Sequence, residues 1–227
     1  MASIPGRSSE SHVYDVICIK CKVTVYKMDI EDQHGKKVPI DKFEVDEQKL
    51  ARIYIEENDV VFELGARYGS VSCIINSKLK CKTNQVVVEP DERVWGALER
   101  NKRVNNCQFH IVKGFVSKKK LGLTNINDCY GGYAATSVEQ KDSKIPSFSM
   151  EEIQNKTQLK FNVLVADCEG FLEQFFDENP TFVDSLRIVL FEADYINKCN
   201  YGKIRSMLKE KGFKELLQGH QNVWKRG

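Results

Sequence analysis

Hydrophobic positions come in two rhythms along the chain. Apolar and polar residues alternate over 13–26, around "VICIKCKVTVY", which predicts a strand; "DQHGKKVPIDKF" predicts a second extended piece, the two forming an N-terminal β annex. Short continuous apolar runs follow at 60–64, at 85–89 ("QVVVE"), at 109–112 ("FHIV"), at 161–166 ("FNVLVA") and at 187–193 ("RIVLFEA"). Such runs suit strands buried on both faces. Between them, helical spacing predicts helices over 46–56 with Asp46 as cap, from the turn at Gly69 to about Lys78, over 91–105 with Trp95, Leu98 and Val104 turned inward, over 169–177 and over 201–211. "SFSMEEIQ" predicts a capped helical turn, and residues 213–224 a closing extended pair.

Strands alternating with helices imply crossover connections, and so an α/β fold: a doubly wound, Rossmann-like, mostly parallel sheet with helices on both faces. Residues 46–227 are expected to form this domain, with residues 1–45 as tail and β annex. The rhythm fails over 117–147, which is polar and carries Gly131-Gly132 between Tyr130 and Tyr133. A long aperiodic segment inside a compact domain is usually functional, so an acceptor-side lid is expected here.

Composition narrows the class without naming it. The 227 residues are 41% hydrophobic and 29% charged, and 34 basic against 32 acidic side chains leave a net charge of +2. The charges are well mixed, so nothing calls for a nucleic-acid partner. No run approaches the roughly 20 apolar residues of a membrane helix, and the opening "MASIPGRSSES" lacks the pattern of a signal peptide, so no membrane partner and a cytoplasmic location are expected. Eight cysteines scattered through predicted strands and helices read as reduced thiols. Cys18 and Cys21 form a lone C-x-x-C whose alternation puts them on opposite strand faces, which argues against zinc.

The candidate chemistry gathers at strand ends, where an open α/β sheet binds its ligands. In "DVVFELGARYGSVSCII" a strand runs through Gly65, Ala66, Arg67, Tyr68 and Gly69 into a helix, a turn that lets backbone approach a ligand. It lacks the three glycines of the dinucleotide fingerprint. Glu63 beside it repels a phosphate and suits an ammonium group, such as the methionine end of S-adenosylmethionine. Glu89, followed by Pro90, stands 24 positions after Gly65 at the next strand end, where an acid can accept both ribose hydroxyls or cap the following helix. Lys113 and Gly114 follow the third strand, near the expected adenine. Asp167 and Glu169 follow the fourth as candidate general bases, Asp167 preferred, and Glu192 ends the fifth. Paired carboxylates can also hold Mg2+, and His220 is a remoter candidate base.

The glycine turn, the strand-end "EP", the L-x-x-N-x-x-x-N of Leu98, Asn101 and Asn105, and the D-x-E-G of Asp167 to Gly170 together resemble the FkbM-type methyltransferases, a class I S-adenosylmethionine-dependent family. "FSMEEI", "LFEAD" and the late "GF" resemble further segments of that family, and the likeness spans residues 60–225. The family usually has Asp at the Glu63 position, Asn at Arg67 and commonly Lys at Val165, departures that bear on acceptor binding. The resemblance implies an O-methyltransferase using S-adenosylmethionine on a small-molecule or glycan hydroxyl. Methylation of RNA or of a protein is the alternative enzyme reading, and a non-catalytic cofactor-binding scaffold the alternative outside enzymes.

Overall fold

A computed structural model describes residues 28–124 and 135–227. The predicted strand over 13–26, the Cys18/Cys21 pair and the glycines between Tyr130 and Tyr133 lie outside the described residues. Along the chain run α1 (Val45–Tyr54), β1 (Val61–Leu64), α2 (Ser70–Lys78), β2 (Gln85–Glu89), α3 (Glu92–Val104), β3 (His110–Lys113), β4 (Phe115–Val116), β5 (Leu121–Thr124), β6 (Thr136–Glu139) and β7 (Ser147–Phe148). They are followed by α4 (Met150–Thr157), β8 (Val163–Ala166), α5 (Leu172–Glu178), a 3-10 turn at Phe182–Ser185, β9 (Ile188–Glu192), α6 (Tyr201–Glu210), β10 (Phe213–Leu217) and β11 (Gln221–Arg226).

Seven strands form one sheet in the order β10-β11-β9-β8-β1-β2-β3. The pairs from β3 through β9 are parallel, and β11 lies antiparallel between β9 and β10. The fold class predicted from the apolar runs is the one observed. Alternate residues of each strand feed opposite faces. Phe62, Leu64, Val86, Val88, Leu164 and Phe191 pack with α4, α5 and α6, whereas Val61, Val163, Val165, Ile188 and Leu190 pack with α1 and α2. Val87 meets α3 in a third cluster that also takes in Ile30, Val38 and Phe43 from the segment before α1.

Several local expectations are corrected. "DQHGKKVPIDKF" is a turn with one isolated bridge, Glu31 to Lys37, because the Asp32 carboxylate accepts from the amides of His34 and Lys36 at 2.9 Å and curls the chain. Asp46 does not cap α1: Glu44 occupies that position at φ 48° with no side-chain cap bond. Leu98 is buried as expected, but Val104 is 40% exposed and Trp95 only half-buried, and Val94 and Ala97 complete the buried face of α3. Within the aperiodic stretch 117–147, the described residues include two strands the pattern did not predict, β5 and β6, paired antiparallel. Ser149 caps α4 with a full capping box, as the sequence suggests.

Candidate active site

β1 sends the chain one way, through β2 to β3, and β8 sends it the other way to β9, so the sheet reverses its winding between β1 and β8. The crevice opens beyond their carboxyl ends. Gly65, at φ 84°, ends β1 so close to β8 that a Cβ there would stand 1.6 Å from the Asp167 carbonyl oxygen. The Asp167 amide donates to the Leu64 carbonyl at 3.0 Å, the last rung between the two strands. Arg67 and Glu169 both adopt positive φ, 44° and 51°, on opposite walls of the crevice. Non-glycine residues held there carry backbone strain, which clusters at functional sites.

A cavity of about 680 Å³, its solvent mouth included, fills this crevice, a size typical of small-molecule sites. Gly65, Arg67, Glu89, Pro90 and Asp167 through Glu169 line it from the sheet, and Phe115, Val116, Leu123, Ala135 and Ser137 from the β4 and β5–β6 segments. A second space of about 420 Å³ adjoins it, shares Glu44, Gly65 and Asp167, and reaches Glu47, Glu192 and Gln221.

Glu89 is the most firmly placed side chain. One carboxylate oxygen accepts from the Arg67 amide at 2.7 Å and the other from the Asp91 amide at 2.8 Å. Burial pushes its carboxyl up to about 7, against the pull of those two amides. Asp91, not Glu89, caps α3 by accepting from the Arg93 amide. Each Glu89 oxygen keeps a lone pair for a ligand hydroxyl.

Glu63 is buried beneath α2. Its oxygens accept from Ser72 Oγ at 2.7 Å and Gln85 Nε2 at 2.9 Å, and Asn76 donates to Gln85 at 2.9 Å, so it anchors a buried polar chain between α2 and the sheet. Its carboxyl also rises to about 7 through burial. It borders the smaller space, not the larger cavity. Tyr68 is buried, with its hydroxyl donating to Gln33, and Ala66 packs in the same core, so neither reaches the cavity. Gly69 starts α2 at φ 81°. Lys113 turns away, pairing with Glu99 at 2.7 Å over the Trp95 ring, while the Gly114 amide donates to the Glu89 carbonyl at 3.0 Å. Arg67 lays its guanidinium 5.0 Å from the Phe43 ring centroid and 4.8 Å from that of Tyr68.

Acids dominate the other wall. Burial, then repulsion from Asp194 and Glu47, lifts the Asp167 carboxyl to about 7. Burial and contact with Asp194 raise Glu169, and burial and contact with Glu47 raise Glu192. Glu192 also accepts from Gln221 at 2.9 Å and faces His220 Nε2 at 3.1 Å. Glu169 does not start α5, whose flanking residue is Phe171. Oxygens of Asp167, Glu192 and Asp194 lie within 4.8 Å of one another, so among the described residues this trio is the group that could share a cation. Sequence reasoning missed Glu44, Glu47 and Asp194. Asp194 carries a legible signal, two positions past a strand-end acid; Glu44 arrives only through tertiary packing, where Ser70 Oγ donates to it.

The L-x-x-N-x-x-x-N motif acquires a structural role. Asn101 donates to the carbonyls of Tyr68 at 2.9 Å and Glu31 at 2.8 Å, and Asn105 donates to that of Asp29 at 2.8 Å. Four residues apart at the C-terminal end of α3, where Asn105 is the cap, they tie the glycine turn to the segment before α1.

No protein-family model matches the chain, and no curated protein matches it significantly. Solved structures do. One in the NADB-Rossmann superfamily from Streptococcus agalactiae matches with TM-score 0.51 at 7% identity, over 80% of this chain and 68% of that one. A precorrin-6y C5,15-methyltransferase from Geobacter metallireducens matches at 0.49 and 12% identity, over 79% and 87%. A ribosomal protein L11 methylase from Lactobacillus delbrueckii subsp. bulgaricus matches at 0.47 and 15%, over 81% and 78%. At such identities the likeness is one of fold, and the Rossmann-like architecture is what it shares.

Proposed function

We propose that this protein is an S-adenosylmethionine-dependent methyltransferase that methylates a hydroxyl group, with a sugar or glycan as acceptor in keeping with its resemblance to the FkbM-type family. One observation carries the cofactor reading: at the switch point of the sheet, a buried carboxylate, Glu89, is aimed by the amides of Arg67 and Asp91 along the glycine turn. That arrangement suits a ribose diol. A dinucleotide would need its pyrophosphate at the N-terminus of α2. Glu44 stands there instead, bonded to Ser70, with Asp167 nearby. These raised carboxyls can ionise against a cation, whereas a phosphate would only oppose their ionisation, so the site favours an ammonium and a sulfonium.

When bound, S-adenosylmethionine supplies a methyl group on a positively charged sulfur. Glu89 would accept from its ribose, and Glu44 and Asp167 would face its cationic end. Phe115, Leu123 and Phe171 would exclude water from the cavity. Asp167, poised near neutrality, would take the acceptor's proton, the condition under which a general base works best. Mg2+ belongs to this proposal only as an orienting ion between Asp167, Glu192 and Asp194, whose hard oxygen donors suit it.

Isothermal calorimetry tests the cofactor. Micromolar binding of S-adenosylmethionine or its demethylated product, about −8 kcal/mol, is expected. Glu89→Ala should weaken it by about 1.5–3 kcal/mol per lost charge-assisted bond. Tight NAD binding with none of S-adenosylmethionine would overturn the cofactor reading. Methyl transfer to RNA or protein in place of sugars would overturn only the acceptor.

A further inference from the structure

We infer that Cys107 and Cys73 are a thiol pair that closes to a disulfide on contact with a hydroperoxide, fastening the loop after α3 to α2. This goes beyond the proposed methyl transfer and does not depend on it. The two cysteines stand 34 positions apart in sequence. In the fold Cys107 packs against the apolar cluster that holds Cys73, Val87, Leu98 and Phe109, and each thiol is the largest single influence on the other's ionisation. The Gln108 amide donates to Asn76 Oδ1 at 3.1 Å, which holds the Cys107 loop against α2.

The two thiols have unlike surroundings. Cys107 is half-buried and lines an open surface groove with Lys102, Arg103 and Gln108. The neighbouring Cys73 thiol, then Lys82 and Lys102, pulls its thiol below the usual range despite partial burial, and its Sγ donates to the Asn105 carbonyl at 3.6 Å. Cys73 is 2% exposed, and its contact with Cys107 and its burial keep it protonated. A half-exposed thiol made more acidic beside Lys102 and Arg103, with a protected thiol behind it, is the arrangement that oxidises stepwise to a disulfide.

The chemistry balances with a hydroperoxide as the sole oxidant. The Cys107 thiolate attacks a peroxide oxygen; the S–O bond forms, the O–O bond breaks, and the departing oxygen takes a proton to become water or an alcohol. Cys73 sulfur then attacks Cys107 sulfur; the S–S bond forms, the S–O bond breaks, and the Cys73 proton leaves with the hydroxide as water. Two thiols lose two electrons in all, and one peroxide gains them. The bridge would hold α2, whose Ser72 secures Glu63 under the glycine turn.

Peptide mapping of the whole chain tests this. Reduced protein is treated with an equivalent of hydrogen peroxide, remaining thiols are blocked with N-ethylmaleimide, and the digest is read by mass spectrometry. A peptide joining Cys73 to Cys107 is expected, with slower hydrogen exchange in α2 that dithiothreitol reverses. Cys107→Ser should leave Cys73 as its maleimide adduct, and Cys73→Ala should leave Cys107 as a dimedone-reactive sulfenic acid. Recovery of both wild-type cysteines as maleimide adducts while exposed Cys81 oxidises would overturn the inference. So would linkage of Cys107 to any other cysteine or to a second chain; the wild-type map decides even if a variant misfolds.

Discussion

Asp167 sits where three influences meet: its amide completes the β1–β8 rung, its carboxylate borders both spaces, and burial with Asp194 and Glu47 lifts it to about 7. In the proposed reaction it is a base, active when ionised, so kcat/KM should rise with pH through about 7. Asp167→Asn keeps the shape and removes the charge. Turnover should fall by about 10²–10⁴-fold with cofactor affinity changed far less. Activity lost to EDTA and restored by Mg2+ would recast Asp167 as a ligand; an Asn variant at the wild-type rate would move the base to another residue, His220 first. Much of this site is legible in the sequence because strand-end acids announce themselves: Glu89 and Asp167 follow apolar runs and both line the cavity. Side-chain direction is not so legible. Glu63 precedes the glycine turn yet faces down under α2, because the period of two puts it on the face opposite Phe62 and Leu64. Lys113 stands two residues before cavity-lining Phe115, and its charge pairs with Glu99 instead.

At the scale of elements, the β5–β6 hairpin is the cavity's outer wall, giving Leu123, Ala135 and Ser137 to its lining. Its pairing is short, Leu121 to Glu139 through Thr124 to Thr136, and Val138 is 44% exposed. Leu121 and Thr136 are buried but Val138 and Glu139 are exposed, and a strand pair with one side open to solvent has the lower local stability required of a part that opens to admit ligand. Amide exchange in Leu121–Thr124 and Thr136–Glu139 should slow several-fold when the demethylated cofactor and an acceptor are both bound. A hairpin whose exchange ignores them would be a fixed wall and no lid. The core strands and helices were predictable because continuous apolar runs alternate with segments of helical spacing. This pair was not: "LGLT" is short and broken by glycine and "TSVE" is mostly polar, and their strand character comes from each other. The same holds for residues 32–43, where Asp32 makes a turn out of a sequence that reads as extended.

For the molecule as a whole, the acids of the site set a pH dependence of stability. Glu44 is raised to about 8, mainly by burial and by Asp167, while Glu63, Glu89 and Asp167 are raised to about 7, mainly by burial. A carboxyl whose folded pKa exceeds its unfolded one binds more protons in the folded state. Its stabilisation is therefore fully present below pH 4 and is lost as pH rises through 7 to 8. Each such group contributes a slope of at most about 1.4 kcal/mol per pH unit within that window. The melting temperature of the ligand-free protein should accordingly fall between pH 5.5 and 8.5. A cationic ligand opposes the loss by pairing with the ionised forms, so S-adenosylmethionine should raise the melting temperature more at pH 8.5 than at pH 5.5, and Glu44→Gln should flatten the ligand-free slope. The measurement is a set of thermal melts across pH, with and without ligand. A melting temperature that rises toward pH 8.5 in the free protein would mean that these carboxyls are ionised in the folded state at neutral pH. The crowding of negative charge that favours a sulfonium over a pyrophosphate would then already be compensated within the protein, and that argument would be weakened.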